Sequence, residues 1–216
     1  MNIREKRDQA LKTNMKKVRQ EKPEIREVKK EMQEEKDTNN EGLEIGEMVP
    51  GRIYRIYLAR GKDSITGIFF SAGKEWLVFR YVPVDYQVDG YCIVRRSKIQ
   101  GVVRSDEEKF KEQIFRVKKI GIGEMANLSL ESDITLFNSF LELSLLLQIE
   151  THRNDIVYIG KVSKVYTKSV KILIMSKKTE WLKEESFRFA GVWIVSIRNN
   201  YLDSLLKYRE YVDKTK

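Results

Sequence analysis

Histidine and cysteine each occur once in this chain of 216 residues, as His152 and Cys92. A single cysteine forms no intrachain disulfide, which agrees with a reducing compartment. One His and one Cys cannot assemble a His/Cys zinc site. Cys92 stands inside an apolar, strand-like run, where cysteine behaves as a small hydrophobe and not as a nucleophile. No run of about 18 apolar residues exists, so no membrane span is expected. The first residues carry Arg4, Glu5, Lys6, Arg7 and Asp8 with no apolar stretch behind them, unlike a signal peptide. These absences together predict a cytoplasmic protein.

Catalytic motifs are missing as well. The sequence holds no Walker loop, dinucleotide glycine fingerprint, HExxH or GxSxG pattern. Gly121-Ile122-Gly123 is too short for a phosphate loop. Glu107-Glu108 and Glu184-Glu185 are neighbouring carboxylates that read as solvated charge, and helix capping accounts for the first pair. The expectation is a protein with no catalytic residue, no metal and no cofactor, hence not an enzyme.

Positive charge is what the chain has in excess. Its formal net charge is +9, with 41 Lys and Arg against 32 Asp and Glu. Such a balance suits an ordinary basic surface, or attraction to nucleic acid or another polyanion. Residues 1–42 form a charged extension and linker without aromatic residues. Its first 22 residues hold 8 basic and 3 acidic side chains, and positions 23–41 hold 4 basic and 7 acidic. Leu11, Met15 and Val18 recur at helical spacing, as do Ile25, Val28 and Met32. Pro23 separates these thin stripes, so a helical or disordered extension is expected.

The rest is organised around residues 76–99, WLVFRYVPVDYQVDGYCIVRRSKI. Positions 76–82 form an apolar, aromatic run with Arg80 as its one charge, as in a buried strand. Asp89-Gly90 suits a corner, because glycine accepts positive φ. Positions 91–96 favour a second strand through β-branched and aromatic residues. Before this core, 53–58 and 65–71 read as strands. After it, Ser105 and Glu108 fit a capping box for a helix over 106–119, with Phe110, Ile114 and Val117 on one face. Ser132 caps a second, almost wholly apolar helix over 133–149. Strands are predicted over 156–165, 169–175, 181–189 and 192–197, then a helix over 201–211 packing through Leu202, Leu205 and Leu206.

A shift of 94 positions overlays the hydrophobic pattern of one half on the other: Trp76 on Val170, Val78 on Ile172, Ile99 on Trp193. The fold class expected is mainly β (α+β): two small, strongly bent antiparallel barrels joined by helices. The first module covers 43–131, an apolar connecting helix and loop covers 132–155, and the second module covers 156–216.

Three parts resemble a group of uncharacterised bacterial proteins: Trp76 through Asp89-Gly90-Tyr91 and Arg95-Arg96 to Ile99; the apolar stretch 137–147 with Ile149-Glu150; and Tyr158-Ile159-Gly160-Lys161-Val162 running on to Tyr201. The resemblance implies tandem Sm-like or SH3-like barrels. Ile159-Gly160-Lys161-Val162 resembles the first strand of an Sm-like RNA binder. Tyr166 and Val170 stand where that family has Asp and Asn, and Arg96 replaces a glycine.

The candidate binding residues are basic. Arg95, Arg96, Lys98 and Arg104 flank one β edge. Lys161, Lys164, Lys168, Lys171, Lys177 and Lys178 decorate the second module, with Tyr91, Tyr158 and Tyr166 interleaved as stacking surfaces. Lysines on strands also serve as ordinary edge protection. The function expected is a non-enzymatic binding or adaptor protein with a protein partner, no membrane contact and room for a homo-oligomer. The alternative is an RNA- or DNA-binding Sm-like module using the basic strands.

Overall fold

In a computed structural model the described residues are 42–125, 127–152 and 156–215. The stripes expected on residues 1–41 lie outside them. Among the described residues ten strands form one open antiparallel sheet in the order β5-β1-β2-β3-β4-β10-β6-β7-β8-β9. Their ranges are β1 Ile53–Leu58, β2 Ile65–Ala72, β3 Trp76–Tyr81, β4 Tyr91–Arg95, β5 Ile99–Val103, β6 Leu146–Glu150, β7 Val157–Val165, β8 Ser169–Met175, β9 Trp181–Arg188 and β10 Ile194–Ile197. Among the described residues three α-helices accompany them: α1 Asp106–Val117, α2 Asp133–Glu142 and α3 Asn200–Lys214. The mainly β, antiparallel architecture with helices is as the residue pattern predicts.

The segments expected as two modules share one sheet and one apolar cluster. β4 and β10 pair directly, Ile93 opposite Val195 and Cys92 opposite Ser196. One apolar cluster takes Trp76, Val78 and Ile93 from the first half together with Phe137, Leu147, Ile172 and Val195 from the second. Strands 76–81 and 91–95 carry apolar side chains on both faces, so each face needs its own cover. The opposite face supplies a second cluster, with Leu77, Phe79, Val94 and Trp193.

The apolar run 133–149 is two elements and not one helix. Ser132 caps α2 as expected, its Oγ accepting the Thr135 N–H at 3.2 Å. The helix ends at Glu142, and Ser144 turns into the left-handed region at φ 49°. Leu146 to Glu150 then enters the sheet between β10 and β7. A mostly apolar run suits a buried strand as well as a buried helix, and the backbone reversal at Ser144 decides for the strand.

α1 also departs from expectation. Its capping box forms, with Glu108 Oε2 accepting the Ser105 N–H at 2.9 Å. Yet the face it buries holds Glu108, Lys111 and Phe115, while Phe110 and Val117 are 53% and 83% exposed. Arg55, the one arginine of β1, causes this. Arg55 pairs with Glu107 at 2.7 Å and Glu108 at 2.9 Å, so the helix docks through its charges. Lys119, at φ 55°, reverses the chain after α1, ahead of Gly121. Gly90 does adopt positive φ, at 65°. A Cβ there would lie 2.5 Å from the Ile197 carbonyl, so the corner also lets the β10–α3 connection approach.

Candidate functional site

The expected basic residues separate into two groups. Those of the first half hold the fold together. Arg95 is 7% exposed at the end of β4, with its guanidinium 4.4 Å above the Trp76 ring. It donates from Nε to the Val192 carbonyl at 2.8 Å and from Nη2 to the Phe189 carbonyl at 2.6 Å. The same Nη2 meets Asp133 Oδ1 at 2.6 Å, and Asp133 Oδ1 also accepts the Trp76 Nε1–H at 3.1 Å. One planar fork therefore ties β4, the start of α2 and the turn before β10. Arg96 donates to the Gly73 carbonyl at 3.0 Å. Lys98 lies 5.2 Å from the Trp193 ring centroid. Arg104 grips Glu112 with two hydrogen bonds, 3.1 and 2.9 Å.

The lysines of the second half face outward. β7 and β8 pair Val162 with Ile172 toward the core, and Lys164 with Lys171 on the other face. Lys161 sits 5.9 Å from the Trp181 ring centroid, and Lys164 5.3 Å from that of Tyr166. Lys171 pairs with Glu184 at 3.1 Å across to β9. That pair raises the lysine and lowers the glutamate from their ordinary values, first through the hydrogen bond between them. Lys168 stands at the β7–β8 turn, Lys177 and Lys178 at the β8–β9 turn, all three exposed. Five of the six expected lysines thus carry no ion pair among the described residues, and the group runs the length of one hairpin. Of the tyrosines, Tyr91 is buried and donates to the Glu124 carbonyl at 2.8 Å, Tyr158 stacks edge-on against Phe187, and Tyr166 is 40% exposed.

The stretch resembling a first Sm-like strand, Ile159-Gly160-Lys161-Val162, lies in β7. Its glycine has a local reason. A Cβ on Gly160 would fall 2.3 Å from the Leu173 carbonyl oxygen.

A polar cavity of about 180 Å³ at the β4–β10–β6 junction was missed by sequence reasoning. Gln148, Glu150, Ser196 and Asn199 line it, and Lys62 closes one side by pairing with Glu150 at 2.9 Å. Its signal in the sequence is the alternation of Gln148 and Glu150 with Leu147 and Ile149, which a helical expectation over 133–149 hides. Cys92 also borders this cavity, and burial pushes its thiol far up from the ordinary range. Such a thiol stays protonated at neutral pH, and the thiolate is the nucleophilic form.

Among the described residues no group of three or more His, Cys, Asp or Glu stands together as a metal site, and no helix is long and apolar enough to cross a membrane. Comparisons with protein-family models, with curated proteins and with solved structures gave no match.

Proposed function

We propose that this chain is a non-enzymatic binding protein of the cytoplasm, built from two Sm-like halves fused edge to edge, that acts as an adaptor for a protein partner. One observation carries the reading. The strand order β5-β1-β2-β3-β4 recurs as β10-β6-β7-β8-β9, each number raised by five. In both halves a single 3-10 turn, Arg96–Lys98 or Phe189–Gly191, precedes the last strand. A duplicated scaffold that leaves β5 and β9 as sheet edges offers pairing surfaces to another chain, including a second copy of this one. Co-purification of the tagged protein from its native host, with and without nuclease, tests this. A stoichiometric, nuclease-resistant protein partner supports it. Turnover of a substrate by the purified protein, lost on a single substitution, overturns it.

A second reading is nucleic-acid binding, and the lysine–aromatic face of β7, β8 and β9 favours it. Lys161 beside Trp181 and Lys164 beside Tyr166 combine phosphate-seeking charge with flat stacking surfaces. Five unpaired lysines on single-stranded nucleic acid predict a log Kd against log salt slope of up to about 3.5. Fluorescence anisotropy with a labelled oligonucleotide at increasing salt measures it, and a flat response removes this reading.

A further inference from the structure

We propose that the cleft between α1 and the β1–β2 hairpin binds a small carboxylate with an apolar body. The cleft has a volume of about 250 Å³ and is walled by Ile53, Ile68, Phe115 and Ile120, with Arg52 and Arg116 among its lining residues. The apolar wall belongs to a small core cluster beneath α1. The side chains there ask for apolar matter, and the charges at the rim ask for an anion.

The charge argument rests on Glu112. This one carboxylate accepts two hydrogen bonds from Arg104, at 3.1 and 2.9 Å, and one from the Ile53 N–H at 2.8 Å. Arg52 reaches it as a further donor, at 3.0 Å. Two guanidiniums thus share one carboxylate, and Arg104 with Ile53 already satisfies it. The Arg52 side chain is 47% exposed, so it is free to turn to a ligand without leaving Glu112 unpaired. Arg116 is exposed and makes no ion pair or side-chain hydrogen bond among the described residues. The rim therefore carries two cations beyond what Glu112 neutralises with Arg104. Guanidinium forks match carboxylate geometry. Gly51 and Gly121 border the cleft, and a Cβ on either would meet only open space, so the entrance is unobstructed. The volume equals that of about eight waters at ~30 Å³ each, which fits a ligand of about ten non-hydrogen atoms. This inference stands independently of the adaptor and nucleic-acid readings.

Isothermal titration of the full chain with octanoate, 1-octanol and inorganic phosphate tests it. Octanoate should bind saturably at one site, with a Kd on the order of 0.1–1 mM for a ligand of this size. Octanol and phosphate should each bind at least about tenfold more weakly, because each lacks one half of the recognition. Arg116→Ala should weaken octanoate about tenfold at unchanged melting temperature, and Arg116→Lys should restore part of the loss. Ile120→Trp, which fills the cleft, should abolish binding while Arg116 remains. No saturable octanoate binding overturns the proposal. So does equal binding of octanol, equal binding of phosphate, or indifference to Arg116→Ala.

Discussion

The two halves of the sheet use their cations differently, and side-chain chemistry explains the difference. In the first half two of the expected arginines point into the structure: Arg95 bridges two carbonyls and Asp133, and Arg104 clasps Glu112. In the second half lysines point away from it, and only Lys171 of the expected set has an anionic partner among the described residues. Guanidinium offers five donors in a fixed plane and tolerates burial when several acceptors surround it. An ammonium is a compact, strongly hydrated charge that favours the surface. A count of basic residues treats these as one patch, whereas only the lysine group is available to a ligand of the β7–β8–β9 face.

The contrast can be broken most forcefully at Arg95. Arg95→Ala should destabilise by about 3–5 kcal/mol, because Asp133 loses its buried partner. Urea unfolding monitored by Trp fluorescence measures this, and Arg95→Lys should recover only a minor part. Gly160→Ala asks whether the second half has rigid points of its own. Its added Cβ would meet the Leu173 carbonyl and Ile172 side chain at 2.3 and 2.6 Å. A loss of about 1–3 kcal/mol is expected in thermal unfolding.

A smaller effect sharpens the comparison through pH. Burial pushes the Glu112 carboxyl up, but hydrogen bonds from Arg104, the Ile53 N–H and Arg52 outweigh it and hold the group below its ordinary value. A depressed carboxylate contributes stability that is full above its unfolded value, about 4.3, and is lost as pH falls through the lower folded value. Glu112→Gln should therefore flatten the acid limb of stability against pH in urea titrations, at the cost of some stability at pH 7. The smallest effect is expected at Lys177→Ala and Lys178→Ala, within about 0.5 kcal/mol each. A larger loss there would mean that the second half also relies on its basic residues for folding.

Local chemistry made much of the fold legible. Strands 53–58 and 169–175 follow from apolar and β-branched residues between turn signals, and their ranges coincide with the observed elements. The Ser105–Glu108 box marks α1 because both partners lie within one turn of chain. The candidate site was only half legible. The lysine positions are visible in the sequence, but the engagement of Arg95 depends on Val192, Phe189 and Asp133, which lie 97, 94 and 38 residues away.

The sequence by itself therefore determined the strand-rich character, the helix starts and the excess of positive charge, because propensity, capping and charge are properties of neighbours along the chain. Tertiary structure alone decided that β10 lies between β4 and β6, that 146–150 is strand, and that α1 docks by its charged face. Each of these depends on which hydrogen-bonding edge or guanidinium arrives from a distant segment, and periodicity within a segment carries no record of that arrival.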